Sequence, residues 1–292
     1  MTRVLVTGAD GQVGRSIADR QADPRFEHLS LILCTRRSLD VTDPSSIERA
    51  MGEFRPDVIV NAAAFTAVDG AEHDEATATT VNADAVAALA TACTDHDVRL
   101  VHLSTDYVFD GTKSGWYVES DPIAPLGVYG NSKATGEEAA RLRTDHLILR
   151  TAWLFGRHGH NFVKTMLRLG TERTELAVVS DQVGCPTSTH DLADAILRLV
   201  DHDLTGTFHL AGSEEASWHR FASAIFTCAD LPVAVEATST AEFATPALRP
   251  CNSRLDSTAL ETATGIRLPG WRAALPPVVD AIMNTDSSRS DA

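Results

Sequence analysis

Short, almost wholly apolar runs punctuate the first half of the chain: "RVLVTG" (3–8), "LSLILC" (29–34), "DVIVNAA" (57–63), "VRLVHLST" (98–105) and "HLILRTAW" (146–153). They are rich in β-branched residues and do not alternate with polar ones, the pattern of strands buried on both faces. Between them lie "QVGRSIADRQ", "SSIERAMGEF" and "ATATTVNADAVAALATACTDH" (76–96), whose apolar positions recur at helical spacing. "DPSSIE" places Asp43 where a helix N-cap is wanted. Strands that alternate with helices pair in parallel through right-handed crossovers. The pattern therefore predicts an α/β fold with a Rossmann-like, doubly wound parallel sheet.

Beyond about residue 155 the alternation weakens. "NFVKTMLRLG" and "THDLADAILRLV" read as helices, "ELAVV" and "TGTFHLAG" as strands, and Pro186, Pro232, Pro246 and Pro250 mark longer loops. The organisation expected is a dinucleotide-binding domain over 1–155 and a smaller substrate-binding lobe over 156–283. Some elements of the lobe are expected to return to the main sheet. The polar tail, 284–292, lacks core residues and is expected to be disordered.

Composition narrows the function classes. A hydrophobic fraction of 43% over 292 residues supplies an ordinary core. The net charge of −15 argues against nucleic acid as a partner. No run of about 18 uncharged apolar residues exists to span a membrane, and the start, MTRVLVTG, enters a strand without a basic leader. A cytoplasmic location is the expectation. The five cysteines are scattered and the eleven histidines form no ligand pattern, so no metal site is expected.

The first strand runs into "VTGADGQVG", with Gly8, Gly11 and Gly14 spaced three apart before a helix. Glycine there permits the tight turn, lets backbone approach a pyrophosphate and lets helix and strand pack closely. In a strand–turn–helix context at the start of a chain this is a dinucleotide signature. The second strand ends in Thr35-Arg36-Arg37, where an acid holding a ribose 2′-hydroxyl is usual. A guanidinium suits a 2′-phosphate, so NADPH is the expected cofactor, with NADH possible. Ala62, Ala63 and Ala64 end the third strand in small side chains that let a nicotinamide ribose lie close.

Tyr129 and Lys133 stand four apart in "VYGNSKATGEE", on one face of a predicted helix. An ammonium about 4 Å from a phenol contributes roughly 4 kcal/mol at an effective dielectric of 20. That lowers a phenol pKa of about 10 by roughly three units, towards the range of a general acid. Ser104 and Thr105, ending the fourth strand, offer hydroxyls to a substrate oxygen or to the phenol.

These stretches, with "RPDVIVNAAAFTAVDGAE", "HLSTDYVFDGT", "LILRTAWLFG", "VSDQVGCPTSTHDLADAI" and "RPCNSRLD", run in order from residue 3 to about 256. The set resembles the extended short-chain dehydrogenase/reductases and, within them, the dTDP-4-dehydrorhamnose reductase family. That resemblance implies NADPH-dependent reduction of the C4 ketone of dTDP-4-dehydro-β-L-rhamnose, in dTDP-rhamnose and polysaccharide biosynthesis. It makes Tyr129 the proton donor, Lys133 its activator and ribose ligand, and Thr105 the group that tunes the phenol. It places Gly11, Gln12 and Val13 on the pyrophosphate, Asp40 and Val41 by the adenine, and Ala64, Phe65 and Thr66 along the cofactor. Thr66, Val68, Ser104, Thr105, Asp106, Tyr107 and Trp153 are then the contacts to a dTDP-4-ketosugar.

Two positions depart from the family. Gly70 stands where many members carry lysine, and Arg15-Ser16-Ile17 lacks the acid with which some relatives bridge a dimer through a metal. A homodimer remains possible. Other readings stay open: a 4-ketoreductase of another dTDP-deoxysugar, or a non-catalytic subunit like the regulatory subunit of methionine adenosyltransferase. Sugar-nucleotide dehydratases carry glutamate where "STDYVF" has Tyr107, which counts against elimination. Epimerases usually keep the ribose-binding acid that Thr35-Arg36-Arg37 lacks.

Overall fold

In the computed structural model residues 1–143 and 145–290 are described, with side chains to 284. The tail expected over 284–292 falls, from residue 285 on, outside the residues described in full. The first half runs β1 (Thr2–Thr7), α1 (Gln12–Ala18), β2 (Leu29–Leu33), α2 (Pro44–Phe54), β3 (Val58–Asn61), α3 (Val68–Ala71), α4 (Glu75–Thr79), α5 (Ala85–Asp95), β4 (Arg99–Thr105), α6 (Val128–Ala140) and β5 (His146–Thr151). The second half adds β6 (Leu154–Phe155), α7 (Phe162–Glu172), β7 (Glu175–Val179), β8 (Val183–Gly184), β9 (Thr187–Ser188), α8 (Thr189–Leu199), β10 (Gly206–His209), β11 (Ala216–Ser217), α9 (Trp218–Cys228), β12 (Ala234–Thr238), α10 (Thr258–Thr264) and α11 (Trp271–Ser290).

Six strands form one parallel sheet in the order β2-β1-β3-β4-β5-β10. Val4, Leu5 and Val6 of β1 are fully buried, as continuous apolar runs require when helices cover both faces. The winding reverses between β1 and β3, and the crevice beyond the carboxyl ends of those strands is where such sheets bind ligands. One core lies between the sheet and α1 and α8, joining Val6, Ile17, Val60 and Leu149 to Leu192, Ile196 and Leu199. The opposite face buries Leu5, Ile47, Met51, Ile59, Leu89 and Ile148. Each such side chain contributes about 1.5–3 kcal/mol when fully removed from water. A separate core in the C-terminal half gathers Phe155, Val163, Phe221, Ile225, Phe226 and Trp271.

Two elements differ from the sequence expectation, each for a local reason. The strand expected through residue 153 stops at Thr151, because Trp153 turns the chain with φ 47°. The helix expected over 76–96 is interrupted by a π-helical turn at Thr80–Asp84. The strand read in "TGTFHLAG" joins the main sheet beside β5, and α8 packs against α1, so the C-terminal half also contributes to the core on the α1 face.

Candidate active site

The turn after β1 is built as the glycines demand. Gly8 has φ 64°, and a Cβ there would lie 2.8 Å from the Ala62 carbonyl oxygen and the Ala63 backbone. A Cβ on Gly14 would sit 2.4 Å from the Gly8 carbonyl oxygen, so α1 packs onto the turn only without one. Gly11 precedes α1 and offers no side-chain cap, and the Gly11 amide donates to the Gly8 carbonyl oxygen at 2.9 Å. Gln12 holds Asn161 through its amide oxygen at 3.2 Å, while Val13 turns into the core.

Arg36 and Arg37 stand exposed at the end of β2; Arg36 reaches Asp40 at 3.5 Å with most of its guanidinium in water. Thr35 is half-buried at the head of that turn. The hydroxyl and backbone N–H of Thr42 hold the Asp40 carboxyl below the usual range. Val41 packs its side chain in the core beside Met51 and Ile59, so any part it takes in cofactor binding falls to its backbone.

Past β3, Ala62, Ala63, Ala64 and Phe65 are half-buried, and Thr66 is exposed. Phe65 is held by a residue that sequence reasoning missed. The π-helical turn aims Asn82 inward, where its amide accepts from the Phe65 N–H at 2.9 Å and donates to the Phe65 carbonyl at 3.0 Å. The same amide donates to the Ser132 hydroxyl on α6 at 3.0 Å. Such π-bulges recur at functional sites. The chain then enters α3 at Val68, and Asp69 pairs with Arg249 at 2.7 Å. Arg249 also lies by Tyr107, a second partner that sequence distance hid.

Lys133 is buried. Its ammonium donates to the Leu103 carbonyl at 2.6 Å and stands 3.5 Å from Nε2 of His102. Behind it a polar chain crosses the sheet: His102 Nδ1 meets the Asn61 amide at 3.1 Å, Asn61 accepts from the Thr7 hydroxyl at 2.7 Å, and that hydroxyl accepts from the Ala63 N–H at 3.2 Å. Burial and the neighbouring ammonium keep His102 neutral, its pKa well below the ordinary value. Burial lowers the Lys133 pKa to about 8, with the Glu137 carboxylate acting in the opposite direction.

Tyr129 sits one turn earlier on α6, its ring edge-on to Tyr107 at 5.5 Å. Burial pushes its phenol up to about 12; the Thr105 hydroxyl pulls the other way and the Asp106 charge adds to the rise. The lowered phenol pKa expected from the four-residue spacing is therefore not what the site produces. The ammonium is turned to β4 and the Leu103 carbonyl. Burial raises Tyr107 as well.

Thr105 donates to the Asp106 carboxylate at 3.0 Å and accepts from the Tyr107 N–H at 3.2 Å. Ser104, expected to face substrate or phenol, instead donates to Glu137 at 2.6 Å inside the core. Asp106 is buried, and its Oδ2 has no hydrogen-bond partner among the described residues. Burial raises its pKa to about 6 against the hydroxyls of Ser253 and Thr105. A buried carboxylate oxygen left unpaired points to a ligand that supplies the bond.

The raised Asp106 pKa has a consequence for stability. The folded protein binds this proton more tightly than the unfolded chain, so the carboxylate destabilises the fold increasingly as pH rises from about 4 through 6. Asp106→Asn should therefore gain Tm relative to the parent between about pH 4 and pH 6.5. A difference that stays constant across that range in a thermal-melt series would refute the assignment.

Trp153 is half-buried just beyond β5, its indole stacked on Trp218 with ring centroids 3.4 Å apart. Among the described residues no group of three or more His, Cys, Asp or Glu is placed to hold a metal ion, and no helix is long and apolar enough to cross a membrane.

The glycine cradle, the alanine-lined strand end, the two exposed guanidinium groups and the unpaired Asp106 oxygen fit a nicotinamide dinucleotide beside a polar substrate. The family model of the RmlD substrate binding domain matches residues 1–284. A dTDP-4-dehydrorhamnose reductase of Sinorhizobium fredii is 44% identical, covering 96% of this chain and 98% of its own. A dTDP-4-keto-6-deoxy-D-glucose reductase of Streptomyces niveus is 41% identical over 98% of this chain and 99% of its own. The crystal structure of dTDP-4-dehydrorhamnose reductase from Bacillus anthracis in complex with NADP superposes with a TM-score of 0.90 at 37% identity, over 95% of this chain and 99% of that one. This chain belongs to the family of the RmlD substrate binding domain, whose solved members share its Rossmann-like fold.

Proposed function

We propose that the protein reduces the C4 ketone of dTDP-4-dehydro-β-L-rhamnose to dTDP-L-rhamnose with NADPH. The observation that carries this reading is the meeting of Tyr129, Thr105 and Asp106 at the carboxyl edge of β4, beside the glycine turn and the ends of β3. When bound, NADPH supplies a hydride to the carbonyl carbon. Gly8, Gly11 and Gly14 admit its pyrophosphate, Arg36 and Arg37 its 2′-phosphate, and Lys133 its ribose.

The chain's own part is the proton. A phenol held near 12 is fully protonated at neutral pH, and the oxygen left by ketone reduction is a stronger base than phenolate. Transfer from Tyr129 Oη is then downhill without a lowered pKa. Thr105 orients the phenol, and the unpaired Asp106 oxygen accepts from a sugar hydroxyl. The main domain, 1–155, thus supplies the chemistry, and the lobe over 156–283 covers the sugar nucleotide.

The test is an NADPH-oxidation assay over a panel of dTDP-4-ketosugars, with the C4 configuration of each product determined. Best turnover on dTDP-4-dehydro-β-L-rhamnose supports the reading. Best turnover on dTDP-4-keto-6-deoxy-D-glucose gives the second reading, which the Streptomyces relative favours. No turnover on any member sinks both.

Cofactor choice gives a separate expectation. Replacing both Arg36 and Arg37 by alanine should reduce the NADPH-over-NADH ratio of kcat/KM by roughly 10–100-fold. That is the range for losing one hydrogen bond to a charged group. An unchanged ratio would remove the arginines from 2′-phosphate recognition.

A further inference from the structure

Trp153 occupies an unusual setting. It is a bulky residue with φ 47°, a left-handed conformation that is a genuine outlier for such a side chain, held only when the surroundings over-determine it. The surroundings do so from two sides. Trp218 lies parallel to the indole at 1°, with ring centroids 3.4 Å apart. Gly184 approaches so closely that a Cβ there would be 2.4 Å from Cε2 and 2.5 Å from Nε1 of the Trp153 ring.

Both flanking positions belong to one small frame. β8 and β11 pair antiparallel with Gly184 opposite Ala216 and Val183 opposite Ser217, and Trp218 follows directly. The frame is locked at its edge. The Trp218 Nε1–H donates to the Gln182 side-chain oxygen at 3.1 Å, and the Gln182 amide donates to the Thr240 hydroxyl at 3.0 Å. Gln182 is itself buried. A ring whose only duty was to fill the core needs neither a strained backbone nor a glycine cut to admit it.

We propose that Trp218 is a positioning residue for the sugar-nucleotide site. With Gly184 and Gln182 it fixes the Trp153 indole as a rigid wall beside Asp106, so that the wall is set before the substrate arrives. The Ser253 hydroxyl links the two sides: it is near the Gly184 position and acts on Asp106. The inference rests on the reading above that Trp153 contacts the dTDP-sugar. It adds that the lobe sets substrate affinity through a residue that does not touch the substrate.

The experiment uses the full chain and the variants Trp218→Ala, Trp218→Phe and Gly184→Ala. Circular dichroism reports the stacked indole pair through its exciton couplet, independently of activity. Trp218→Ala should lose the couplet and raise the KM for the dTDP-4-ketosugar and the Kd for dTDP about three- to tenfold, the worth of one aromatic pair. The NADPH Kd should stay within twofold, which also shows that the fold is intact. Trp218→Phe should recover part of the affinity. Gly184→Ala should reproduce the KM change by displacing the ring from the other side.

Loss of the couplet with unchanged KM and dTDP affinity would overturn the proposal, as would equal rises in the NADPH and dTDP constants. A parent protein that binds no dTDP and reduces no dTDP-ketosugar overturns the functional reading and this inference with it. That outcome is told apart because it appears before any variant is made.

Discussion

Tyr129→Phe is expected to lower kcat by about 10²–10⁴-fold, the range supplied by a positioned general acid. The phenyl ring keeps the edge-on contact with Tyr107, so the substitution removes the proton and little packing. Binding of NADPH and of dTDP should change by less than a few-fold. The pH profile of the parent should carry a second signature. The phenol, at about 12, stays protonated across the working range. Lys133, lowered to about 8 by burial, loses its charge first. With the ammonium needed in the reaction, kcat/KM for reduction should fall as pH rises through about 8, be flat between about 6 and 8, and fall again below about 6 as Asp106 gains its proton. Lys133→Gln should abolish the alkaline limb along with most of the activity. A Tyr129→Phe variant within fivefold of the parent would exclude the phenol as the acid, and an alkaline limb persisting unchanged in Lys133→Gln would belong to another group.

The residues that announced this site in the sequence did so through short spacings. Gly8 and Gly14 answer to one turn, and Tyr129 and Lys133 to one helical turn, so their meaning is local. The sheet was legible for the same reason: each buried strand is a continuous apolar run. What remained hidden depends on contacts between positions far apart along the chain. Asn82 reaches Phe65 only because a π-helical turn rotates it inward. Trp218 lies 65 positions beyond the ring it stacks on. Helical spacing says which face the Lys133 side chain leaves from, not which partner it finds. Here the partner is a strand carbonyl, and burial, opposed by the Thr105 hydroxyl, raises the phenol pKa. A place at a strand end suggests an outward Ser104, yet its hydroxyl faces α6 and a buried carboxylate.

That carboxylate, Glu137, carries the largest expected effect on stability. It is fully buried and accepts from Arg150 through both oxygens, at 2.8 and 2.7 Å, from Ser104 at 2.6 Å and from Arg141 at 2.8 Å. Burial pushes its pKa up, but the Arg150 pair and the other two donors outweigh this and hold it below the ordinary value. With its folded pKa depressed, the group contributes stability above the unfolded carboxyl pKa, and that contribution is lost as pH falls below about 4.5. Glu137→Ala leaves Arg150 buried and unpaired, which costs about 3–5 kcal/mol and should lower Tm by roughly 10 °C at pH 7. Replacing both partners with apolar residues, Glu137→Leu with Arg150→Met, should recover much of that loss. The rescued protein then isolates a second role. Glu137 stands one turn beyond Lys133 and supports its charge, so the alkaline limb of kcat/KM should move to lower pH in the double variant even though the fold is restored. A Glu137→Ala protein that melts within 2 °C of the parent would contradict the buried ion pair. A restored double variant with an unmoved limb would confine Glu137 to holding the helix on the sheet.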